Sequence, residues 1–268
     1  MMFAQYFGLK ANPFVKEVEN AALFESKDMR ELSSRLGVMK ATRGIFLLTS
    51  EPGCGKTTAL RQFADSLNTA VFKVCYTALS TVTVMDFYRG LIIRMGEEPP
   101  TKKVLMFEQL QKLIHASFHE KRVTPVFVLD EAHLLPNSVL DDIQIIFNFK
   151  MDAENPFILI FSGENSIRNR LHLGVHQSLR QRIIGNYHMS GLLRDEVSDY
   201  LSSRLSYAGA ADPNIFTEAA CESVYAHTNG LPRLVNNLAT ASLTCAFAQN
   251  KAAVDEEIVY QAARDIEI

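Results

Sequence analysis

The chain has 268 residues, a formal net charge of −3 and a hydrophobic content of 47 %. This composition excludes a disordered polymer and a polycation, so any binding to nucleic acid would need a local basic surface. The four cysteines form no C-x-x-C pair, and the sequence has neither an apolar run of about 18 residues nor a secretory signal. We therefore expect a cytoplasmic protein with reduced thiols and no membrane span.

The first 190 residues alternate between apolar runs and helical periodicity. Residues 1–40 are predicted to form an N-terminal extension whose helix Ser26 caps. Strands are predicted near 45–48, 71–76, 125–129 and 156–161, and helices near 56–68, 83–95, 104–120, 138–150 and 166–173. Because this alternation is typical of parallel strands joined by helices, residues 41–190 are predicted to form an α/β core whose parallel sheet is flanked by helices.

Beyond about residue 190 the apolar spacing is helical only. Thr217 and Asp255 are predicted helix caps, and Pro232 is expected in the first turn of a helix. Asn229 and Gly230 are expected to end the helix before it. Residues 191–268 are therefore predicted to form a small C-terminal helical domain.

Residues 50–57 read S-E-P-G-C-G-K-T, which matches the phosphate-loop pattern G-x-x-x-x-G-K-S/T except at its first position. Two glycines let the backbone turn its N–H groups toward phosphate, and the helix that follows directs its positive dipole at the same anion. The lysine would then pair with the β- and γ-phosphates, and the threonine hydroxyl would bind Mg²⁺. The predicted ATP-binding residues are Glu51, Pro52, Gly53, Cys54, Gly55, Lys56, Thr57 and Thr58.

A second acidic motif, Asp130-Glu131, ends the apolar run that begins at Val126. In phosphate-loop ATPases such a strand brings an Asp to the Mg²⁺ shell, and the next Glu can polarise the attacking water as a general base. A strand that simply stops at charged residues is the alternative, but the position after a phosphate loop favours the functional interpretation. We predict Thr57 and Asp130 as metal ligands and Glu131 as a catalytic residue.

Ser162 ends the fourth predicted strand and is followed by Gly163. A polar side chain at this position could sense the γ-phosphate or hold the attacking water. A plain strand-ending turn is an equal alternative, and Ser162 is therefore a candidate catalytic residue.

Residues 165–188 contain Arg168, Arg170, Arg180 and Arg182 but no Asp or Glu. An ATP site shared between subunits needs a positive charge from the neighbour to offset the charge of the transition state. We predict Arg182 as this arginine finger, with Arg180 as the second candidate. A solvated basic face is the alternative.

Arg233 begins the helix that follows Gly230-Leu231-Pro232. A positive side chain is unfavourable beside the positive end of a helix dipole, so a nearby anion such as the γ-phosphate would explain it. We predict a catalytic role for Arg233, and an ordinary surface arginine is the alternative.

In this order, the motifs resemble those of AAA+ ATPases: a phosphate loop, an Asp-Glu strand, a polar strand end, a Leu-Arg-Gln-Arg segment and a Pro-Arg pair in a helical lid. More narrowly, the chain resembles the ExeA-like ATPases. The shared stretches are Tyr6 to Leu9, Asn12 to Phe14, Ser50 to Thr58, Val128 to Leu134, Ser178 to Arg182 and Gly230 to Asn237. The resemblance covers nearly the whole chain and implies a P-loop AAA+ core, a helical lid, and ATP and Mg²⁺ as cofactors.

The resemblance implies two possible functions. Long ExeA-like members with a membrane span and a cell-wall-binding domain serve type II secretion. Short members resemble the transposition regulators of the MuB, IstB and TnsC group, which assemble on DNA with ATP and recruit or stimulate a DDE transposase.

Because the chain stops at Ile268 without a further domain, we expect the transposition role. The protein would then form a homo-oligomer, as a hexameric ring or a helical filament, on double-stranded DNA without sequence preference. Assistance to a type II secretion system is the alternative. A monomeric P-loop small-molecule kinase and a non-hydrolysing ATP switch are further alternatives.

The resemblance also suggests that the insertion before the Asp-Glu strand lines a channel for DNA. Thr101, Lys102 and Lys103 lie in the turn of this insertion, and Lys121 lies near its end. Lysines there would contact phosphates in a salt-sensitive and sequence-blind manner. The alternative is a solvated loop with ordinary lysines, and two neighbouring glutamates favour this alternative.

Overall fold

The computed structural model describes residues 2–15, 23–78 and 83–268. Its contacts divide the chain into two compact units. The helical unit consists of the described parts of Met1–Glu31 together with Gly53–Gly55 and Ser190–Ile268. The sheet unit consists of Leu32–Pro52 and the described parts of Lys56–Met189.

A parallel five-stranded sheet forms the centre of the sheet unit, in the order β2-β3-β4-β1-β5. Its strands are β1 (Gly44–Ser50), β2 (Phe72–Ala78), β3 (Thr124–Asp130), β4 (Ile158–Gly163) and β5 (Ile183–Met189). Every residue of β1, β3 and β4 is buried, as expected for central strands with helices on both faces. The predicted α/β fold with a parallel sheet is therefore confirmed.

The α-helices of the described residues are α1 (Met2–Tyr6), α2 (Lys27–Thr42), α3 (Lys56–Asp65), α4 (Val84–Met95), α5 (Lys103–His119), α6 (Asn137–Ile146), α7 (Asn165–Leu171), α8 (Gln177–Gln181), α9 (Val197–Tyr207), α10 (Glu218–Thr228), α11 (Pro232–Ala248) and α12 (Glu256–Asp265). Short 3₁₀ helices lie at Ala132–Leu134, Lys150–Asp152, Gly174–His176 and Arg194–Glu196. Among these described elements, no helix has both the length and the apolar character needed to cross a membrane.

Strand β5 is the element of the sheet that the sequence did not predict. Its sequence mixes polar and apolar side chains, and only Met189 is buried. Within the sheet it is an edge strand that pairs with β1 alone, so it needs no continuous apolar run. The missing apolar run explains why periodicity did not reveal this strand.

Large apolar side chains fix the central strands of the sheet unit. Phe127 and Leu129 on β3 and Phe161 on β4 belong to one core with Leu91 on α4 and Ile143 on α6. Burying such a side chain contributes about 1.5–3 kcal/mol. This core therefore holds the carboxyl ends of β3 and β4 in place, and ligands of open α/β sheets bind at such ends.

The N-terminal residues share the core of the helical unit. Phe3, Leu9 and Phe14 pack in one apolar cluster with residues of α9 to α12, such as Val197 and Leu238. The predicted 1–40 extension is thus divided in the structure, because its first part belongs to the helical unit and the residues from Leu32 onward belong to the sheet unit.

Helix caps lie where the sequence predicts them. The side chains of Thr217 and Asp255 accept hydrogen bonds from the backbones of α10 and α12. Pro232 opens α11, and Asn229 ends α10 in a left-handed conformation. Ser26 Oγ accepts from the Met29 N–H at 3.2 Å, which confirms the predicted start of α2.

Candidate nucleotide site

The phosphate loop joins the end of β1 to the start of α3. Gly53 and Gly55 have φ angles of 85° and 103°, which favour glycine. A Cβ on Gly53 would also lie 2.9 Å from the Cβ of Arg233. Ser50 occupies the first position of the pattern as the fully buried last residue of β1, outside the turn. The turn therefore requires the two glycines but not a glycine at position 50.

The Lys56 ammonium lies beside the end of β1. The residue is 8 % exposed, and its Nζ donates to Ser50 Oγ at 2.9 Å. The carbonyl oxygens of Ser50 and Glu51 each lie 3.4 Å from the same Nζ. These neutral acceptors orient the cation without cancelling its charge, which stays available to a phosphate. The Ser50 hydroxyl is thus a positioning group that the motif alone did not reveal.

The other predicted loop residues differ in exposure. Cys54 is buried, and Thr58 is partly buried. Glu51, Pro52 and Thr57 are exposed. Their predicted contacts to nucleotide stay predictions.

Asp130 is the centre of the hydrogen bonds at the carboxyl end of the sheet. This carboxylate is 3 % exposed and accepts from Thr57 Oγ1 at 3.2 Å and from the Tyr76 hydroxyl at 2.7 Å, both through Oδ2. Ser162 Oγ donates to Oδ1 at 2.8 Å. A buried carboxylate needs donors of this kind. The oxygens of Asp130 and Thr57 are the hard ligands that Mg²⁺ prefers, so these residues fit the predicted ion.

Tyr76 is the residue of this cluster that the motifs missed. It lies on β2, two residues before Ala78, which pairs with Asp130 of β3. Because side chains alternate along a strand, Tyr76 lies on the same face as Asp130. Burial and the hydrogen bond to Asp130 raise the pKa of Tyr76, so the phenol remains a donor. The register of β2 against β3 is the signal that identifies it.

Glu131 follows Asp130 with a left-handed backbone, at φ 54° and ψ 36°. Its N–H donates to Asp130 Oδ1 at 3.1 Å. Its carboxylate is 48 % exposed, and Oε2 lies 3.5 Å from His133 Nδ1. A half-exposed carboxylate beside the buried Asp130 is suited to take up a proton from water.

The turn after Ser162 links the acidic motif with the phosphate loop. The Glu164 N–H donates to His133 Nδ1 at 3.3 Å. Asn165 Nδ2 donates to Glu51 Oε1 at 3.3 Å. The turn after Ser162 thus contacts both the segment of the acidic motif and the phosphate loop.

The two finger candidates differ in their contacts. Arg182 is 20 % exposed, its Nη1 donates to the Gln144 carbonyl, and its Nε lies 3.2 Å from Asp152 Oδ1. Arg180 is exposed, with Nη1 at 3.1 Å from His172 Nδ1. Arg182 is therefore engaged within its own chain, whereas Arg180 faces solvent.

Arg233 lies in the first turn of α11 in the helical unit. Its backbone N–H donates to the Gly53 carbonyl at 3.2 Å. This contact positions the residue against a phosphate-loop glycine, and its role toward a phosphate stays a prediction.

The predicted DNA contacts lie at the two ends of α5. Lys103 Nζ pairs with Asp142 Oδ2 at 2.8 Å, so its charge is used within the chain. Thr101 and Lys102 are exposed before α5, and Lys121 is exposed after it. Since α5 has 17 residues, Lys102 and Lys121 lie at opposite ends of a helix roughly 26 Å long.

Residues 39–171 match the family model described as AAA domain. The General secretion pathway protein A of Aeromonas hydrophila is 28 % identical over 251 residues, which cover 92 % of this chain and 45 % of that protein. The chain thus spans less than half the length of this relative.

Solved structures share the fold. Cdc6p from Pyrobaculum aerophilum has a TM-score of 0.67 at 19 % identity, over 94 % of this chain and 70 % of that chain. The Thermotoga maritima RuvB Holliday junction branch migration motor has a TM-score of 0.60 at 18 % identity, over 95 % and 73 %. Drosophila ORC bound to DNA has a TM-score of 0.68 at 14 % identity, over 96 % and 64 %. These likenesses show the fold of the chain.

Proposed function

We propose that this protein is an AAA+ ATPase that hydrolyses Mg-ATP and uses the cycle to assemble or remodel a protein partner. The matched AAA domain and the α/β fold support this proposal. The observation that carries the proposal is the Asp130 cluster. A buried carboxylate with Thr57 beside it and the half-exposed Glu131 next in sequence supplies the acidic groups that phosphate-loop hydrolysis needs.

Each residue has a distinct role in the proposed reaction. The loop glycines direct N–H groups at the phosphates, and Lys56 neutralises the charge of the β- and γ-phosphates. Thr57 and Asp130 would hold Mg²⁺, which would supply positive charge to stabilise the transferred phosphoryl group. Glu131 orients the attacking water and takes up its proton. Ser162 and Tyr76 keep the Asp130 carboxylate in place through their hydroxyl groups.

A homo-oligomer is part of this proposal. The described site holds the carboxylates of Asp130, Glu131 and Glu164 and one cation, Lys56, and we expect the negatively charged transition state to need a further cation. Arg180 is exposed and so could act on the site of a neighbouring subunit, in a hexameric ring or a helical filament.

The partner is proposed from the secretion-pathway relative, whose identity of 28 % extends over nearly the whole chain. Binding to double-stranded DNA and recruitment of a DDE transposase form the second candidate function. Two observations favour DNA: Lys102 and Lys121 are exposed, and the Drosophila ORC structure that shares the fold is bound to DNA. Because those lysines lie far apart and Lys103 is paired, the protein-partner function is placed first.

ATP turnover by purified protein tests the enzymatic proposal. We expect the wild-type protein to release phosphate in a Mg-dependent reaction. Lys56→Ala should lose both phosphate release and nucleotide binding. Glu131→Gln should lose phosphate release but keep nucleotide binding. Wild-type protein that binds ATP but never releases phosphate would overturn the proposal in favour of a non-hydrolysing switch.

DNA binding separates the two candidate partners. Fluorescence anisotropy with a generic duplex, at two salt concentrations and with or without Mg-ATP, should show no ATP-dependent binding if the partner is a protein. ATP-dependent binding that weakens with salt would instead establish the DNA function.

A further inference from the structure

Glu131, the proposed general base, has a backbone conformation that most residues avoid. Its φ of 54° and ψ of 36° lie in the left-handed region, where a residue with a Cβ is strained. Such a conformation persists only where the surrounding structure fixes it. The contacts that hold the chain after Glu131 therefore decide where its carboxylate stands.

The residues after Glu131 form a single turn of 3₁₀ helix, called the acidic turn below (Ala132–Leu134). The Leu134 N–H donates to the Glu131 carbonyl at 2.9 Å. The Leu135 N–H donates to the Ala132 carbonyl at 3.2 Å. The His133 carbonyl lies at the end of this turn, where helix carbonyls have no partner within the helix. It needs a donor from outside the acidic turn.

Arg170 supplies this donor from α7. Its Nη1 donates to the His133 carbonyl at 2.9 Å, and its Nη2 donates to Asn137 Oδ1 at 2.6 Å. Asn137 is the first residue of α6, the next α-helix after the acidic turn. One rigid guanidinium group thus binds both the end of the turn and the start of this helix.

Helix α7 is a firm support for these contacts. Ile167 and Leu171 of this helix are buried in the core of the sheet unit. The preceding strand β4 also packs closely against the acidic turn, because a Cβ on Gly163 would lie 3.1 Å from the His133 backbone N. The turn is therefore held by the end of a strand and, through Arg170, by a helix fixed in the core.

Both partners of Arg170 in this contact are uncharged oxygens, a backbone carbonyl and a side-chain amide. The contact therefore depends on the geometry of the two donors more than on charge. The planar fork of arginine presents two N–H groups at fixed angles, whereas the ammonium group of lysine is a compact point charge. A lysine at position 170 would keep the charge but would lose the simultaneous contact to both oxygens.

We propose that Arg170 is a positioning residue for ATP hydrolysis: its two hydrogen bonds hold the acidic turn and thereby keep the Glu131 carboxylate where it can polarise the attacking water. Arg170 acts through the turn and has no assigned contact to the substrate. This inference rests on the proposed ATPase function. It adds a residue that the phosphate-loop and Asp-Glu motifs do not contain.

Substitutions at Arg170 give the first test, read as kcat and KM for ATP. Arg170→Ala should lower kcat about tenfold or more, because a misplaced general base is costly. KM and the affinity for a fluorescent ATP analogue should not change, because the phosphate loop is untouched. Arg170→Lys should give a kcat between those of Arg170→Ala and wild type. Arg168→Ala, at an exposed arginine of the same helix, is the control expected to match wild type.

A double variant separates positioning of the base from a general loss of structure. Arg170→Ala should cause little further loss when it is added to Glu131→Gln, because a base that is absent cannot be misplaced. A general loss of structure would instead lower the rate by a similar factor in both backgrounds. Single-turnover release of labelled phosphate measures the slow rates that remain in these variants.

Two outcomes would overturn the inference: wild-type kcat in Arg170→Ala, or the same fold-loss from Arg170→Ala with and without Glu131→Gln. Thermal melting and affinity for the ATP analogue are measured for each variant, so that a folding defect is recognised. If Arg170→Ala does not fold, Arg170→Lys takes its place in both tests, and its wild-type kcat would equally overturn the inference. Failure of the ATPase proposal itself is distinct, because wild-type protein would then release no phosphate.

Discussion

The Tyr76 hydroxyl donates a hydrogen bond of 2.7 Å to Asp130 Oδ2, across two neighbouring strands. Thr57 Oγ1 shares the same carboxylate oxygen at 3.2 Å. Groups behind a metal ligand orient it and tune its affinity. The edge strand β2 therefore contributes to the proposed metal site through a residue that no phosphate-loop motif contains.

Removing this hydroxyl should weaken Mg²⁺ binding. We expect Tyr76→Phe to raise the Mg²⁺ concentration needed for half-maximal binding of a fluorescent ATP analogue by about tenfold, because Asp130 loses a donor that orients it. Binding measured without Mg²⁺ should not change. Tyr260→Phe, a tyrosine 56 % exposed on α12, is the control. Identical Mg²⁺ titrations for Tyr76→Phe and wild type would contradict the role given to Tyr76.

The finger assignment predicts different behaviour for the two arginines. Arg180→Ala should abolish ATP turnover without changing the melting temperature, because Arg180 is exposed. Arg182→Ala should lower the melting temperature, because it breaks the contacts to Asp152 and Gln144. Phosphate release and thermal melting measure the two effects.

Mixing two inactive variants tests whether Arg180 acts on a neighbour. Arg180→Ala subunits keep Glu131, and Glu131→Gln subunits keep Arg180, so mixed oligomers should regain part of the activity. No recovery in the mixture, with oligomers present by gel filtration, would argue against a shared site.

Arg204 should be critical for the stability of the helical unit. It is 4 % exposed, and its guanidinium donates to the carbonyls of Pro13 and Val15 at 2.8 Å each. Arg204→Leu leaves both carbonyls without a donor, and we expect a loss of about 2–4 kcal/mol in the free energy of unfolding. Urea unfolding measures the loss, with Arg264→Leu on exposed α12 surface as the control. Equal stability of the two variants would refute the assignment.

Burial makes the Cys75 thiol unreactive at neutral pH. The residue is 1 % exposed, and burial raises its pKa from 9.0 to about 11. Because only the thiolate reacts, iodoacetamide at pH 8 should leave Cys75 unmodified in folded protein and label it in urea. Peptide mass spectrometry reads this out, with the partly exposed Cys245 as the internal control.

The same pKa has a consequence for stability. A raised folded-state pKa means that the unfolded chain loses the thiol proton first as pH increases. The contribution of Cys75 to stability is therefore fully present below about pH 9 and is lost as pH rises toward 11. A Cys75→Ala variant should show a smaller decline in melting temperature over this interval. An equal decline in both proteins would place the effect at another group.

Local chemistry was sufficient to predict most of the fold. The apolar runs of β1, β3 and β4 and the caps Thr217 and Asp255 follow from burial and from backbone hydrogen bonding, which act between residues close in sequence. Strand β5 did not follow, because an edge strand that pairs on one side tolerates polar residues.

The sequence by itself determined the phosphate loop and the acidic motif, because each consists of adjacent residues that can be recognised from their types and their spacing. Only the tertiary structure decided that Tyr76 and Ser162 share Asp130, that His133 contacts Glu131, and that Arg182 is engaged while Arg180 is exposed. These contacts join side chains from different strands and helices. Strand register and helix packing set their distances, and neither is expressed in the spacing of residues along the chain.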